Sequence, residues 1–137
     1  MTLDNIIIET IPLGHADARG DIYNVLTQET LARFFGDTPI THVAAYTSQK
    51  DAVRGNHHHP FVEALFLFSG SYELVFQNTH ELTKPPEKHI IQATQLVVFP
   101  PHFAHAVRHL DFSLAVAFSA GQKTGDTTKT VIPYKLL

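Results

Sequence analysis

The segment Arg54-Gly55-Asn56-His57-His58-His59-Pro60-Phe61-Val62-Glu63 sets three consecutive histidines just ahead of a glutamate. Imidazole and carboxylate together suit a divalent ion such as Zn, Ni, Fe(II) or Mn. On an extended strand, alternate residues share a face. His57 and His59 therefore project one way and His58 the other. Glu63 stands at even separation from both and joins them, unless Pro60 introduces a bulge. A fourth ligand is expected from a neighbouring strand, because a barrel closes its strands around one interior. His105 is the candidate. In Val97-Val98-Phe99-Pro100-Pro101-His102-Phe103-Ala104-His105-Ala106-Val107 an apolar strand ends in a Pro-Pro turn and restarts with that histidine.

The competing reading is a solvated histidine loop before an ordinary strand. It has to place Glu63 beside Ala64-Leu65-Phe66-Leu67-Phe68, a run apolar on both faces. A carboxylate there is costly to bury unless it is paired or bound to a cation. The mid-chain position of the triplet also separates it from the terminal histidine runs of expression tags.

Other residues have chemistry of their own. Arg54 adjoins the histidines and can grip a phosphate or carboxylate bidentately, or pair with Asp51. Arg19, in Asp17-Ala18-Arg19-Gly20, has the same two readings, with Asp17 or Asp21 as the local partner. Tyr23, Tyr46 and Tyr72 fall in strand-like runs, where a tyrosine either packs with a wet hydroxyl or donates a proton at a barrel mouth. Tyr72 and His102 are the candidates for proton transfer. His102 and His109 belong either to the rim near the ligands or to the structure alone. His58 is assigned to the outer face or a dimer contact, and His15, His42, His80 and His89 to surface or core.

Short apolar runs broken by turn residues must position these side chains. They are Ile6 to Ile8, Ile22 to Leu26, Thr41 to Tyr46, Ala64 to Phe68, Tyr72 to Phe76, His89 to Gln92, Leu96 to Phe99 and Leu114 to Phe118. Rich in β-branched and aromatic residues, they read as the strands of a sandwich or barrel. Ser69-Gly70-Ser71 reads as a tight hairpin, and Asn78 to Glu87 as a surface loop. One stretch differs. Thr27 to Gly36 has apolar residues at 31, 34 and 35, suiting a short helix with Thr27 as N-cap; Thr30 is a weak substitute for the acid or amide of a capping box. Gly121 to Lys129 reads as a polar loop before a last strand at Thr130 to Tyr134. No repeat or linker divides the chain, so residues 1–137 read as one domain.

Composition excludes several classes. There is no cysteine, so disulfides, thiol catalysis and thiolate metal sites are out. A net charge of −3 with no basic cluster argues against nucleic acid. No apolar run approaches the length of a membrane span. The opening Met1-Thr2-Leu3-Asp4 carries an acid where a signal peptide carries basic residues, so a cytoplasmic location is expected.

These residues resemble the two motifs of the cupins. The first motif is His-x-His, three or four residues, Glu, six residues, Gly; His57, His59, Glu63 and Gly70 match it. The second is Pro-x-Gly-x-x-His, three residues, Asn. Pro100 and His105 match it, while His102 stands where Gly is usual and His109 where Asn is. Asp51 likewise replaces a Gly that often precedes the first motif. Histidine tolerates awkward backbone angles better than a β-branched residue would. The resemblance spans roughly residues 40 to 120. It implies an all-β fold: a single-domain double-stranded β-helix, the cupin jelly-roll barrel, with one short helix.

A narrower resemblance rests on Asp17-Ala18-Arg19-Gly20, Val53-Arg54-Gly55-Asn56-His57 and Phe99 to His105. These are similar to segments of the nucleotide-sugar branch, with its dTDP-sugar 3,5-epimerases, sugar 3,4-ketoisomerases and the zinc-binding cupin domain of capsular-polysaccharide enzymes. It implies a sugar isomerase or epimerase in which a metal, zinc slightly favoured, polarises a carbonyl as a Lewis acid while a His or Tyr moves the proton. In the metal-free epimerases the His after Arg-Gly acts as a base. A His57 bound to metal has no lone pair left on that nitrogen, so the two roles exclude each other, and Glu63 favours the metal. An Fe(II)- or Mn-dependent dioxygenase and a non-catalytic sugar- or metabolite-binding module are the alternatives. The resemblance also implies a homodimer paired through N-terminal strands, here the Ile6-Ile7-Ile8 run.

Overall fold

The computed structural model describes residues 3–121 and 130–137. The loop expected from Gly121 to Lys129 lies almost wholly outside them. Near the N-terminus are β1 (Ile7–Thr10), β2 (Leu13–Asp17), β3 (Gly20–Tyr23) and α1 (Gln28–Phe35). Then come β4 (His42–Ser48), β5 (Val53–His58), β6 (Glu63–Ser69) and β7 (Ser71–Asn78). The chain continues with β8 (Glu87–Gln92), β9 (Gln95–Phe99), β10 (Phe103–His109), β11 (Ser113–Ser119) and β12 (Ile132–Pro133). One five-stranded sheet has the order β1-β9-β6-β11-β4, and a second the order β12-β5-β10-β7-β8. All pairings are antiparallel, and β2 and β3 form a separate hairpin.

The two sheets enclose the core. Leu65, Leu67, Val97, Phe99, Ala115 and Ala117 of the first meet Tyr72, Leu74, Phe76, Ile91, Phe103 and Val107 of the second. The outer face of the first sheet is also covered: Ala64, Phe66, Leu96 and Val98 pack under Phe34 and Phe35 of α1. A strand buried on both faces loses its polar alternation, which is why β6 and β9 read as unbroken apolar runs. Parity then sends Glu63, Leu65 and Leu67 inward and Ala64 and Phe66 outward. Among core residues of that strand, Glu63 is the charged one.

Helix α1 begins where Thr27 caps it. The Thr30 amide donates to Thr27 Oγ1 at 3.2 Å, and the Thr27 amide donates to Thr30 Oγ1 at 2.7 Å. The box is complete, so a threonine hydroxyl does serve where an acid or amide was expected.

Ser69-Gly70-Ser71 is not a hairpin. β6 belongs to the first sheet and β7 to the second, and the two are not paired. Gly70 turns the chain between sheets with φ +95°, and a Cβ there would lie 2.3 Å from Ser113 Oγ and 2.7 Å from the Phe112 carbonyl. The turn residues signal a tight reversal equally well in either case. They do not say whether the next strand pairs with the last or crosses to the facing sheet.

Candidate functional site

Strand β5 carries His57, with His59 one residue past its end, and its register is unusual. Opposite it on β10, His105 faces His57 and Ala106 faces Gly55, so Asn56 is an extra, bulged residue. Gly55 and Asn56 both have positive φ, +88° and +56°. The bulge precedes His57 and leaves the His57/His59 parity intact. Asn56 is tied elsewhere: its carbonyl accepts from the Tyr134 amide at 2.8 Å. Its side chain accepts from the amides of Leu136 and Leu137 at 2.8 and 2.9 Å, and donates to the Leu137 carbonyl at 3.1 Å.

His57, His59 and His105 bring their ligand nitrogens within 4.8 Å of one another. Glu63 joins them, its Oε1 lying 3.7 Å from His105 Nε2. His59, Glu63 and His105 are buried and His57 is partly exposed. Rings brace the set, Phe99 stacking on His105 at 4.1 Å and Phe61 on His59 at 4.8 Å between centroids. His59 Nδ1 donates to the Thr130 carbonyl at 2.5 Å and His105 Nδ1 to the Phe103 carbonyl at 3.1 Å. With Nδ1 occupied, each ring is left to present Nε2, the arrangement usual for metal-bound histidine. Burial, and then the His57 and His59 rings, push the His105 pKa down to about 3. The approach of Glu63 to His105 therefore joins a carboxylate to a neutral ring and is not an ion pair. Three imidazoles, at least one held neutral, and one buried carboxylate fit a borderline divalent ion such as zinc.

His57, Glu63 and His105 line a cavity of about 260 Å³ between the sheets, with His59 just behind its lining. Its other walls include His42, Ala44 and Tyr46 of β4, Arg54 and Gly55 of β5, and Ala117 of β11. The small side chains Ala44, Gly55 and Ala117 leave the room. Sequence reasoning set His42 aside as surface or core. It lies on the inward parity of β4 with Ala44 and Tyr46, and Ser119 pairs with it on one side and with Glu63 on the other. His42 and Glu63 thus share one transverse row, two strand spacings or about 10 Å apart. The His42-x-Ala44-x-Tyr46 alternation was the signal available.

Arg54 sits at the cavity mouth and does not pair with Asp51. Its Nε donates to Ser48 Oγ at 2.5 Å, its Nη2 donates to the Thr47 carbonyl at 3.0 Å, and its guanidinium lies 5.0 Å over the Tyr46 ring. Burial raises the Tyr46 pKa to about 12, against a smaller opposing effect of Arg54. Arg19 lies apart, at the tip of the β2–β3 hairpin. It donates to Asp17 at 2.6 and 3.2 Å, and that pairing holds the Asp17 carboxyl down at about 2.

Tyr72 and His102, the proton-transfer candidates, do not line the cavity. Tyr72 is fully buried in the core, 5.5 Å ring to ring from His109, and burial drives its pKa well above the ordinary value. His109 is no rim residue either: it is enclosed between Tyr46 and Tyr72. His102 turns outward, Nδ1 to Nδ1 3.3 Å from His58, which parity places on the outer face.

Comparison with known proteins agrees with the architecture. No family model matches the sequence. No curated protein matches it either. Among solved structures, RmlC from Streptococcus suis in complex with dTDP-D-xylose superposes with a TM-score of 0.75 at 17% identity, over 92% of this chain and 69% of that one. The dTDP-4-dehydrorhamnose 3,5-epimerase from Sulfolobus tokodaii gives 0.71 at 21% identity, over 88% and 72%. The QdtA 3,4-ketoisomerase from Thermoanaerobacterium thermosaccharolyticum, a double mutant in complex with TDP, gives 0.71 at 16% identity, over 96% and 88%. The chain therefore has the jelly-roll barrel fold of the cupins. Within that fold it is similar to structures of nucleotide-sugar epimerases and a ketoisomerase. No helix among the described residues is long and apolar enough to cross a membrane.

Proposed function

We propose that the protein is an isomerase or epimerase of a nucleotide-linked keto sugar, with one divalent ion held by His57, His59, Glu63 and His105. The observation that carries this reading is the cavity itself: His57 and His105 from one sheet and Glu63 from the other line it with His59 close behind, and His42 and Arg54 complete its lining. Its volume of about 260 Å³ lies just below the usual range for small-molecule pockets, about 300–1,000 Å³, which suits a sugar ring inside and a larger nucleotide outside. The similar structures from Streptococcus suis and Thermoanaerobacterium thermosaccharolyticum hold dTDP-D-xylose and TDP, which supports the substrate class.

When bound, the ion would polarise a carbonyl oxygen and make the adjacent carbon acidic. His42, across the cavity, takes the proton from that carbon as the C–H electron pair moves toward the carbonyl oxygen. Protonation from the opposite face by a second donor, with the His42 proton passing to solvent, gives the epimer, and return of the His42 proton to the former carbonyl carbon, as the neighbouring hydroxyl gives up its proton, gives the ketoisomer. Arg54 grips the diphosphate at the mouth, and Tyr46 stays a neutral donor beside it.

Deuterium uptake from D₂O into a dTDP-4-keto sugar, followed by NMR with zinc-loaded protein, tests the scheme. Uptake is expected, with His42→Ala slowing it about 100-fold or more and Arg54→Ala raising KM about tenfold or more at unchanged fold. Uptake that survives complete chelation would transfer the base role to His57 and remove the metal from the mechanism. No uptake under any loading would leave a binding module.

The same reading carries a homodimer. Among the described residues β1 is an edge of the first sheet, paired on one side with β9. The Ile6, Ile7 and Ile8 side chains pack against the two core clusters, so it is the strand edge and not an apolar face that invites a partner. Light scattering is expected to give twice the 15.3 kDa chain mass at micromolar concentration. A clean monomer would refute it.

A further inference from the structure

Outside the barrel, three histidines from separate segments converge. His58 ends β5, His80 lies in the loop between β7 and β8, and His102 occupies the turn between β9 and β10. The His102 ring sits between the other two, 5.3 Å from His58 and 5.4 Å from His80, edge-on to both. None of the three lines the cavity.

Two independent observations mark this cluster as built. The first is the backbone of His102, which has φ +64°. Glycine takes such angles freely, whereas another residue is strained there by about 1 kcal/mol or more. A turn that glycine would satisfy instead spends stability to keep an imidazole. The turn is also pinned to both neighbouring segments: the His102 amide donates to the His59 carbonyl at 2.7 Å, and the His102 carbonyl accepts from Thr79 Oγ1 at 2.8 Å and the Thr79 amide at 3.2 Å. Thr79 precedes His80, so these bonds fix the third ring's segment beside the second. The other observation is the spacing of His58 Nδ1 and His102 Nδ1, 3.3 Å. Two nitrogens on a tetrahedral ion with bonds of about 2.0–2.1 Å stand about 3.3 Å apart. A hydrogen bond between two neutral rings would account for that pair but not for the strained turn or the third histidine.

We propose that His58 and His102, whose nitrogens already stand at ligand spacing, form a second metal site on the outer face of the second sheet for a zinc-like divalent ion, with the exposed His80 ring turning in as a third imidazole and water completing the shell. It is separate from the barrel site and does not depend on the reading of that site. Its ligands are neutral donors at a partly exposed position, so it binds more weakly than a buried set with a carboxylate.

Calorimetric titration of the chelator-stripped full chain with zinc provides the test, using His102→Gly as the main variant. Glycine suits the turn, so this variant is expected to fold and to melt no lower than the parent without metal. It should bind one zinc equivalent fewer than the parent, as should His58→Ala, while His80→Ala weakens that equivalent about tenfold or more. The count is a difference, so it holds whether or not the barrel site fills. Equal stoichiometry and affinity in parent and His102→Gly would overturn the proposal.

Discussion

Alanine at His57, His59, Glu63 or His105, one at a time, is expected to cost the barrel site more than about 100-fold in zinc affinity. Groups that merely orient a ligand are worth about 10–100-fold, and each of these would be the ligand itself. His58→Ala is the control, since parity turns His58 away from the cavity; it should keep the tight equivalent and lose only the outer one. Elemental analysis after dialysis against a weak chelator reads the difference. Thermal melting gives a second view. The ligands sit on β5, β6 and β10 and meet only in the native chain, so an ion binds the folded state selectively. At a thousandfold excess over Kd the stabilisation is about 4 kcal/mol. Stripping the metal should lower Tm markedly in the parent and by much less in Glu63→Ala. If His58→Ala lost the tight ion and His59→Ala kept it, the facing of β5 would be wrong by one residue.

Gly55→Ala is expected to be the most destabilising methyl addition near the site. With φ at +88°, a Cβ would meet the His105 carbonyl oxygen at 2.7 Å and Ala106 Cα at 3.1 Å. Both obstacles are backbone, so no side-chain rotation relieves them, and β5 must lift off β10 where His57 faces His105. A loss of about 2 kcal/mol or more follows, a Tm drop of roughly 6–12 °C for a chain of this size. Gly36→Ala supplies the comparison. It has positive φ, +58°, but open space around it, so it should lose only the conformational part, about 1 kcal/mol. Melting curves of the two variants without metal separate steric from conformational cost. Equal drops would mean that the close approach of β5 to β10 is absent.

Much of this site was legible because it depends on local parity. Alternation placed His57 and His59 together with His58 opposed, whereas Glu63 reaches them from the start of β6 in the facing sheet, so its even separation along the chain was not what brought it there. His105 was found from its motif spacing, and the structure sets it directly across from His57. Long-range closure was not legible. His42 reaches the cavity only because β4 pairs with β11, which in turn pairs with β6, and no local pattern states that order. The strands in the chain were mostly visible, but β2 was missed because its residues are all exposed and show no apolar alternation. Tyr72 and His102 were chosen for their chemistry. Whether a strand residue near a motif points into a cavity, into the core or outward is settled by which sheet the strand joins. His102 shows the same limit differently: its departure from glycine was visible, and its strained backbone was not.

The fastening of Asn56 couples the chain's last residues to the barrel in dynamic terms. The bulged asparagine stands between Gly55 and His57 and holds Leu136 and Leu137 by three hydrogen bonds. For the tail to swing free, Asn56 must give up those bonds, and the bulge that aims His57 loses its outer support. Tail fraying and loosening of the site are then a single local-opening event, with one opening free energy shared by the Leu136 and Leu137 amides and those of β5. Linkage runs both ways. An ion in the barrel slows exchange at amides that never touch it, and a cut or perturbation in the tail is felt as weaker binding inside.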